Sequence, residues 1–332
     1  MKVAVLSGGV GGARFTRGLL AHLRASLPDG AGGTTAEVTV VANTGDDLWL
    51  HGVRVCPDLD TLMYTLGGVV HEEQGWGRTG ESTRMAADLA GYDVGGDWFT
   101  LGDLDLATHL ARTQLLREGL PLSQVTERLC RRWPLGVRLL PMSDQEVETH
   151  VAIDGPVPGG PEVLLHFEEW WVRHRAALPA HRFVQVGLDR ASAAPGVVAA
   201  LLDADVVVLP PSNPVVSVGT ILAIPGIRDA LVATTAPVVG ISPIVGGAAV
   251  RGMADQCLRA IGIETSAAAV ARHYGHRADG GVLDAWLVDT VDAAAAAELA
   301  ADGWTVGVAP TLMTDVPATA LIAATALALV RR

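Results

Sequence analysis

Within its first thirty residues the chain changes hydrophobic period. Lys2 to Leu6 is a short run rich in β-branched residues, Ser7 to Gly12 is glycine-rich, and Ala13 to Leu27 sets Phe15, Leu19 and Leu23 four residues apart. A continuous apolar run followed by helical spacing predicts a strand, a tight loop and a helix. After the loop Pro28 to Thr35, Glu37 to Ala42 reads as a second buried strand that runs into Asn43, Thr44, Gly45, Asp46 and Asp47. Strand, helix and strand in this order predict half of a doubly wound sheet.

From Pro57 to Trp133 the pattern is helical, in the segments "PDLDTLMYTLGG", "LGDLDLATHLARTQLLREG" and "PLSQVTERLCRRW". Pro or Asp opens each of them, as at many helix starts. Glu146 to Ile153 and Val163 to Phe167 alternate apolar with polar residues around the turn Gly155 to Pro161, which predicts an antiparallel hairpin. The α/β rhythm resumes with strands expected at Phe183 to Leu188, Asp205 to Leu209, Pro237 to Ile241, Val282 to Val288 and Thr305 to Val308. The expected architecture is one α/β domain over residues 1–332, a doubly wound, mostly parallel sheet with a small antiparallel hairpin. A helical subdomain over residues 57–133 is expected to cover the active site. No repeat or linker interrupts this pattern, and Ala293 to Ala297 suits an exposed helix.

Composition narrows the function more than the fold. With 49% hydrophobic residues among 332, the chain can bury a large core, and its formal net charge of -12 opposes association with nucleic acid. A nucleotide substrate remains compatible with that charge, because a few amides, a metal ion and local arginines can hold a diphosphate. Ala320 to Val330 is apolar but only about half the roughly 20 residues that cross a bilayer, so a buried terminal helix is expected rather than a membrane span. Met1 leads directly into the first strand without signal-peptide features, and Cys56, Cys130 and Cys257 form no CxxC pair. A reducing cytoplasm is the expected location.

The loop "VAVLSGGVGGARF" places backbone N–H groups and a helix N-terminus where a phosphate can sit, with Ser7, Gly8, Gly9, Gly11 and Gly12 as candidate nucleotide contacts. Arg14 stands where a dinucleotide fingerprint needs a third glycine, and no Gly-Lys-Ser/Thr completes a phosphate-binding loop of the Walker type. The position at the end of the second strand that is acidic in adenine dinucleotide sites is Asn43. The alternative is that these glycines only make a tight turn.

Asp46 and Asp47 follow the second strand, and Asp58 and Asp60 open the next helix, so four carboxylates can converge beside the glycine loop. Magnesium would relieve their repulsion, since it takes oxygen ligands and binds through one or two carboxylates plus substrate phosphates. Asp47 and Asp60 are the expected ligands and catalytic carboxylates, against the alternative that each Asp caps a helix or sits in a turn. Asp105, His109 and Arg112 share one helix face, with His109 a candidate catalytic base and a solvated face as the alternative. In "VVVLPPSNPVVSVGTILAIPGI", Ser212 and Asn213 lie on a loop at a strand end and are candidate nucleotide contacts, while Ser217 is expected to cap the following helix. The loop "ISPIVGGAAVRG" adds Ser242, Gly246, Gly247 and Arg251, either as ligand contacts or as a turn.

Taken together, "LSGGVGGARF", "ANTGDDLWLHGVRVCPDLDTLMYTLGG", "LGDLDLATHLARTQ", "LLPMSD", "LPPSNPVVSVGTILAIPGIR", "GISPIVGGAAVRGMAD" and "TLMTD" resemble the 2-phospho-L-lactate transferase family over nearly the whole chain. The resemblance implies a Rossmann-like fold, a homodimer and a magnesium ion. It implies transfer of a phosphoenolpyruvyl or 2-phospho-L-lactyl group from a guanosine diphosphate donor to Fo, 7,8-didemethyl-8-hydroxy-5-deazariboflavin, with release of guanosine monophosphate. "GDDLWLHGVRVCPDLDT" and "HFEEWWVRHRA" are most similar to actinobacterial members, which implies an enolpyruvyl donor. Docking with the guanylyltransferase that makes the donor is an expected partnership that no motif in the sequence marks. The family's Fo contacts fall on Asp60 and Thr100. After "GWG" this chain reads "RTGEST", a departure from the family pattern that bears on Arg78, Glu81 and Arg84. A noncatalytic nucleotide-binding regulator of similar fold is the competing reading, and "CPDLDT" with "LGDLDLATH" favours the transferases.

Overall fold

The computed structural model describes residues 1–92, 98–157 and 159–331. The first strand, β1 (Lys2–Ser7), buries every residue from Val3 to Ser7, so both its faces need cover. That cover is a seven-stranded sheet with helices on each side. After β1 come α1 (Val10–Ser26), β2 (Glu37–Ala42), the hairpin β3 (Leu48–Leu50) and β4 (Val53–Val55), then α2 (Pro57–Leu66), α3 (Arg84–Ala90), α4 (Asp103–Arg117), α5 (Leu122–Cys130) and β5 (Arg138–Pro141). An antiparallel unit follows, β6 (Glu148–Ile153), β7 (Val163–His166) and β8 (Ala180–Val186). The second half runs α6 (Val197–Leu202), β9 (Val206–Leu209), α7 (Val218–Ala223), α8 (Ile227–Ala233) and β10 (Val238–Ile241). It continues with the hairpin β11 (Ile244–Val245) and β12 (Ala248–Ala249), then α9 (Ala254–Ala260), α10 (Ala267–Tyr274), β13 (Ala285–Val288), α11 (Ala293–Ala301), β14 (Thr305–Val308) and α12 (Val316–Leu329).

The sheet order is β14-β13-β10-β9-β1-β2-β5, with every pairing parallel. The chain builds outward from β1 to β5 and then returns to β9 on the other side of β1. This is a doubly wound sheet whose topological switch point lies between β1 and β9, where such folds open a crevice at the carboxyl ends of the strands. Alternate residues separate into two cores, Leu6 and Val207 on one face and Val3, Val5, Val206 and Val208 on the other. On the second face α12 crosses α1 at Gly18, where any side chain would strike Thr319. No helix among the described residues is long and apolar enough to cross a membrane.

The sequence-predicted strand at Phe183 to Leu188 does not join this sheet. Its residues lie in and just after β8, which pairs antiparallel with β6, and the seat in the parallel sheet goes to β5 beside β2. The physical distinction is burial: β5 buries three of its four residues, whereas none of the seven residues of β8 is fully buried. The glycine loop is also shorter than expected, because α1 begins at Val10 and takes Gly11 and Gly12 into its first turn.

Within residues 57–133, α2 packs on α1 and the sheet, with Leu59, Leu62 and Met63 in the same core as Phe15. Near the start of α4, Leu101 joins Leu48, Val53 and Val55 of the β3–β4 hairpin in a separate small cluster. Residues 93–97 of that span and Pro158 of the Gly155 to Pro161 turn lie outside the described residues.

Candidate active site at the switch point

A cavity of about 410 Å³ opens at the carboxyl ends of β1 and β9. Gly8, Gly9 and Gly11 form one side, Ser212 and Asn213 another, and Asp46 and Asp58 border it as well. The tightness of the glycine turn is steric. A Cβ on Gly11 would come within 2.5 Å of the Pro211 carbonyl oxygen, and one on Gly8 within 2.6 Å of Ser217 Oγ. The Gly8 N–H donates to Ser212 Oγ at 3.2 Å, and the Gly9 amide supports the Asp58 carboxylate. The first bond of α1 runs from Ala13 N to Gly9 O, and no side chain caps its start. With the Gly8 and Gly9 amides engaged, the N–H groups of Val10, Gly11 and Gly12 remain as donors for an anion.

Ser7 and Gly12 do not border the cavity. Ser7 Oγ donates to the Gly8 carbonyl at 2.7 Å, and Gly12 gives it room. Asn213 Oδ1 accepts from Val215 N and Val216 N at 2.9 and 3.2 Å, so this amide closes its own turn. That leaves Ser217 without the capping bond expected from the sequence.

Beside the cavity lies an excess of buried negative charge. Asn43 Nδ2 donates to Asp46 Oδ2 at 3.1 Å and to Asp58 Oδ2 at 2.9 Å, so one amide holds two carboxylates together. Asp47 is fully buried, and neither of its oxygens, nor Asp46 Oδ1, has a hydrogen-bond partner among the described residues. Burial pushes Asp47 up to about 7 against the pull of Arg54. Burial likewise raises Asp58 to about 6, and it carries Asp46 well above the carboxylate range with help from the charges of Asp58 and Glu168. Glu168, which the sequence reading passed over, is buried and raised to about 8 by desolvation and then by Asp58 and Asp47. Its signal is an acidic residue inside the aromatic run "HFEEWW". Unpartnered buried oxygens with raised pKa values are what a cation would satisfy, so the donor set fits magnesium.

Asp60 stands in a different environment from Asp47. Arg112, 2% exposed, directs NH1 to Asp60 Oδ2 at 3.0 Å and NH2 to Oδ1, a two-pronged buried pair. Burial opposes the Arg112 charge, yet Asp60 and its neighbours hold its pKa above the ordinary arginine value. His109 Nδ1 lies 3.1 Å from Arg112 NH1 and 3.5 Å from Asp60 Oδ2, and its Nε2 lies 3.4 Å from Asp105 Oδ1, which also accepts from Tyr64 OH at 2.7 Å. Asp60, Asp105 and His109 are close enough to share an ion, but the guanidinium on Asp60 would repel a dication there. The two expected ligands thus differ in surroundings: both oxygens of Asp60 meet Arg112, whereas neither oxygen of Asp47 has a hydrogen-bond partner among the described residues. Thr100 is exposed and immediately precedes the buried Leu101. Arg78 and Glu81 meet each other, with Arg78 N donating to Glu81 Oε1 at 3.0 Å, and Arg78 stacks between Tyr64 and Trp133.

Comparison with known proteins adds to this geometry. The family model described as 2-phospho-L-lactate transferase CofD matches residues 3–308. A phosphoenolpyruvate transferase of Streptomyces griseus is 57% identical over 329 residues, covering 99% of this chain and 98% of that protein. One from Mycolicibacterium smegmatis is 55% identical over 321 residues, 96% of each. Among solved structures, a UPF0052 family protein of Bacillus halodurans superposes with a TM-score of 0.62 over 98% of this chain and 99% of that one. At 18% identity it supports the fold alone.

Proposed function

The chain belongs to the 2-phospho-L-lactate transferase family and is a transferase, and from that premise we propose the reaction it runs. A phosphoenolpyruvyl or 2-phospho-L-lactyl group passes from a guanosine diphosphate donor to the ribityl hydroxyl of Fo, giving coenzyme F-420-0 or its dehydro form and guanosine monophosphate. The names of the relatives support the three-carbon acid, and their actinobacterial sources support the enolpyruvyl form. The resemblance adds a homodimer to the same reading, and hand-over of the donor from its guanylyltransferase is proposed with it.

The observation that carries the proposal is the meeting, at one cavity, of an uncapped helix start with a group of buried and partly unpartnered carboxylates. The first turn of α1 binds the diphosphate through its open N–H groups. Asp47, with Asp46 and Asp58 beside it, would hold magnesium, which neutralises the diphosphate charge when bound. Asn43 keeps two of these carboxylates in register. Trp76 and Trp171 at the cavity wall offer apolar faces to a planar deazaflavin ring. The alcohol oxygen of Fo forms a bond to the outer phosphorus, the bond to the guanosine monophosphate oxygen breaks with its electron pair, and a carboxylate of the cluster takes the alcohol proton. Asp58, which borders the cavity, is the carboxylate we assign to that role, while Asp60 is held by Arg112. Alignment and charge neutralisation supply most of the rate in such transfers.

The test is to incubate the pure protein with Fo, magnesium and each guanosine diphosphate-linked acid, and to identify the product by mass. Formation of the phosphodiester of Fo with stoichiometric guanosine monophosphate is expected. Absence of that product with every donor would refute the proposal.

A further inference from the structure

We propose that Arg14 and Arg251 form the recognition site for the carboxylate of the transferred acid. The inference rests on the donor reading above and assigns the end of the donor that the glycine turn does not hold. Arg14 lies one turn into α1, Arg251 lies on the loop between β12 and α9, and both border the cavity. Among the described residues neither forms an ion pair, although Arg17, three residues after Arg14, pairs with Glu72 at 2.6 Å. The Arg14 side chain makes no hydrogen bond to a described residue, although its backbone is part of α1. Arg251 donates to the Gln74 carbonyl and lies 5.4 Å from the centre of the Trp76 ring. Burial and then the charge of Arg14 depress the pKa of Arg251, so two like charges share one space.

Arg14 lies near enough to Glu72 to help lower its pKa, but Glu72 is paired with Arg17; in a chain of net charge -12, two neighbouring arginines that form no ion pair among the described residues and face a cavity make a receptor for an anion. They are distinct from the acidic end of the cavity, since neither is among the charges that perturb Asp46 or Asp58. The diphosphate already has donors at the start of α1. Phosphoenolpyruvate and 2-phospho-L-lactate share one further anionic group, a carboxylate, and its two oxygens match the planar guanidinium fork. The contacts of Arg251 with Gln74 and Trp76 hold the fork in place before the ligand arrives.

Calorimetry with two guanosine diphosphate esters tests this. The lactyl ester carries the carboxylate; the isopropyl ester has nearly the same shape without it. The wild-type protein is expected to bind the lactyl ester at least about ten-fold more tightly, as for a charge-assisted hydrogen bond. Arg14→Gln and Arg251→Gln should each bring that ratio close to unity while leaving the isopropyl ester's affinity nearly unchanged. Arg251→Lys should retain part of the ratio, and thermal melts establish that each variant is folded. A wild-type ratio near unity, a ratio that survives both glutamine variants, or equal weakening of both esters would overturn the assignment, the last by giving the arginines to the diphosphate. If wild-type protein bound neither ester nor guanosine diphosphate itself, the donor reading would fall first and this inference with it.

Discussion

Replacing Asp60 with asparagine removes the charge that balances a nearly inaccessible guanidinium. Arg112 is 2% exposed and Asp60 4%, and both carboxylate oxygens meet the fork. After the change Arg112 keeps the Arg54 carbonyl at 3.3 Å and His109, but no anion in direct contact. Breaking one side of a buried pair costs about 3–5 kcal/mol, because the remaining charge stays desolvated. An unfolding entropy of about 2.1 cal/mol/K per residue gives roughly 0.7 kcal/mol/K for a chain of 332, so a loss of about 4–7 °C in Tm is expected. The companion variant is Asp60→Asn with Arg112→Met, which removes both charges and should recover most of the loss. Circular dichroism melts of the three proteins decide the matter. A single variant within about 1 °C of wild type, or a double variant no more stable than the single, would refute the view that this pair is a closed ionic unit.

Stability should also depend on pH and magnesium together. The folded-state values of Asp47 (about 7) and Glu168 (about 8) lie above ordinary carboxylate values, so the folded protein holds protons that the unfolded chain has released. Each such group therefore contributes stability that is present below about pH 4 and is lost as pH rises through 7 or 8, at up to about 1.4 kcal/mol per pH unit. Urea midpoints in chelator should fall from pH 5 to 9, and magnesium should flatten that decline; a flat profile in chelator would contradict the uncompensated cluster. Gly11→Ala brings a methyl within 2.5 Å of the Pro211 carbonyl and should weaken guanosine diphosphate binding by roughly ten-fold by shifting the start of α1, as titration calorimetry would report. Asp289→Asn weakens a carboxylate that accepts from Val291 N, Thr311 N and the hydroxyls of Thr290 and Thr311, and should cost about 1–2 kcal/mol in denaturant unfolding.

Much of this fold is legible in local pattern. Val3 to Leu6 and Val206 to Leu209 are apolar without alternation because helices cover both faces of the sheet there. The presence of α1 is legible from Phe15, Leu19 and Leu23, although the helix begins at Val10, inside the expected glycine loop. The assignment of Phe183 to the parallel sheet went wrong because a short apolar strand says nothing of its partner. β5 was passed over because only four residues, Arg138 to Pro141, mark it. The converging aspartates were legible as a set, since two pairs stand within fifteen residues at the ends of a strand and the start of a helix.

The sequence by itself determined the α/β class, the glycine turn at the first crossover and the presence of several carboxylates beside it, because each follows from spacing along a single segment. Tertiary structure alone decided what those carboxylates do. Arg112 reaches Asp60 from 52 positions away, while Asp47 has no donor among the described residues and Glu168 arrives from the antiparallel unit. The charge and reach of an acidic side chain depend on its partners and its access to water, and both are supplied by residues remote in the chain.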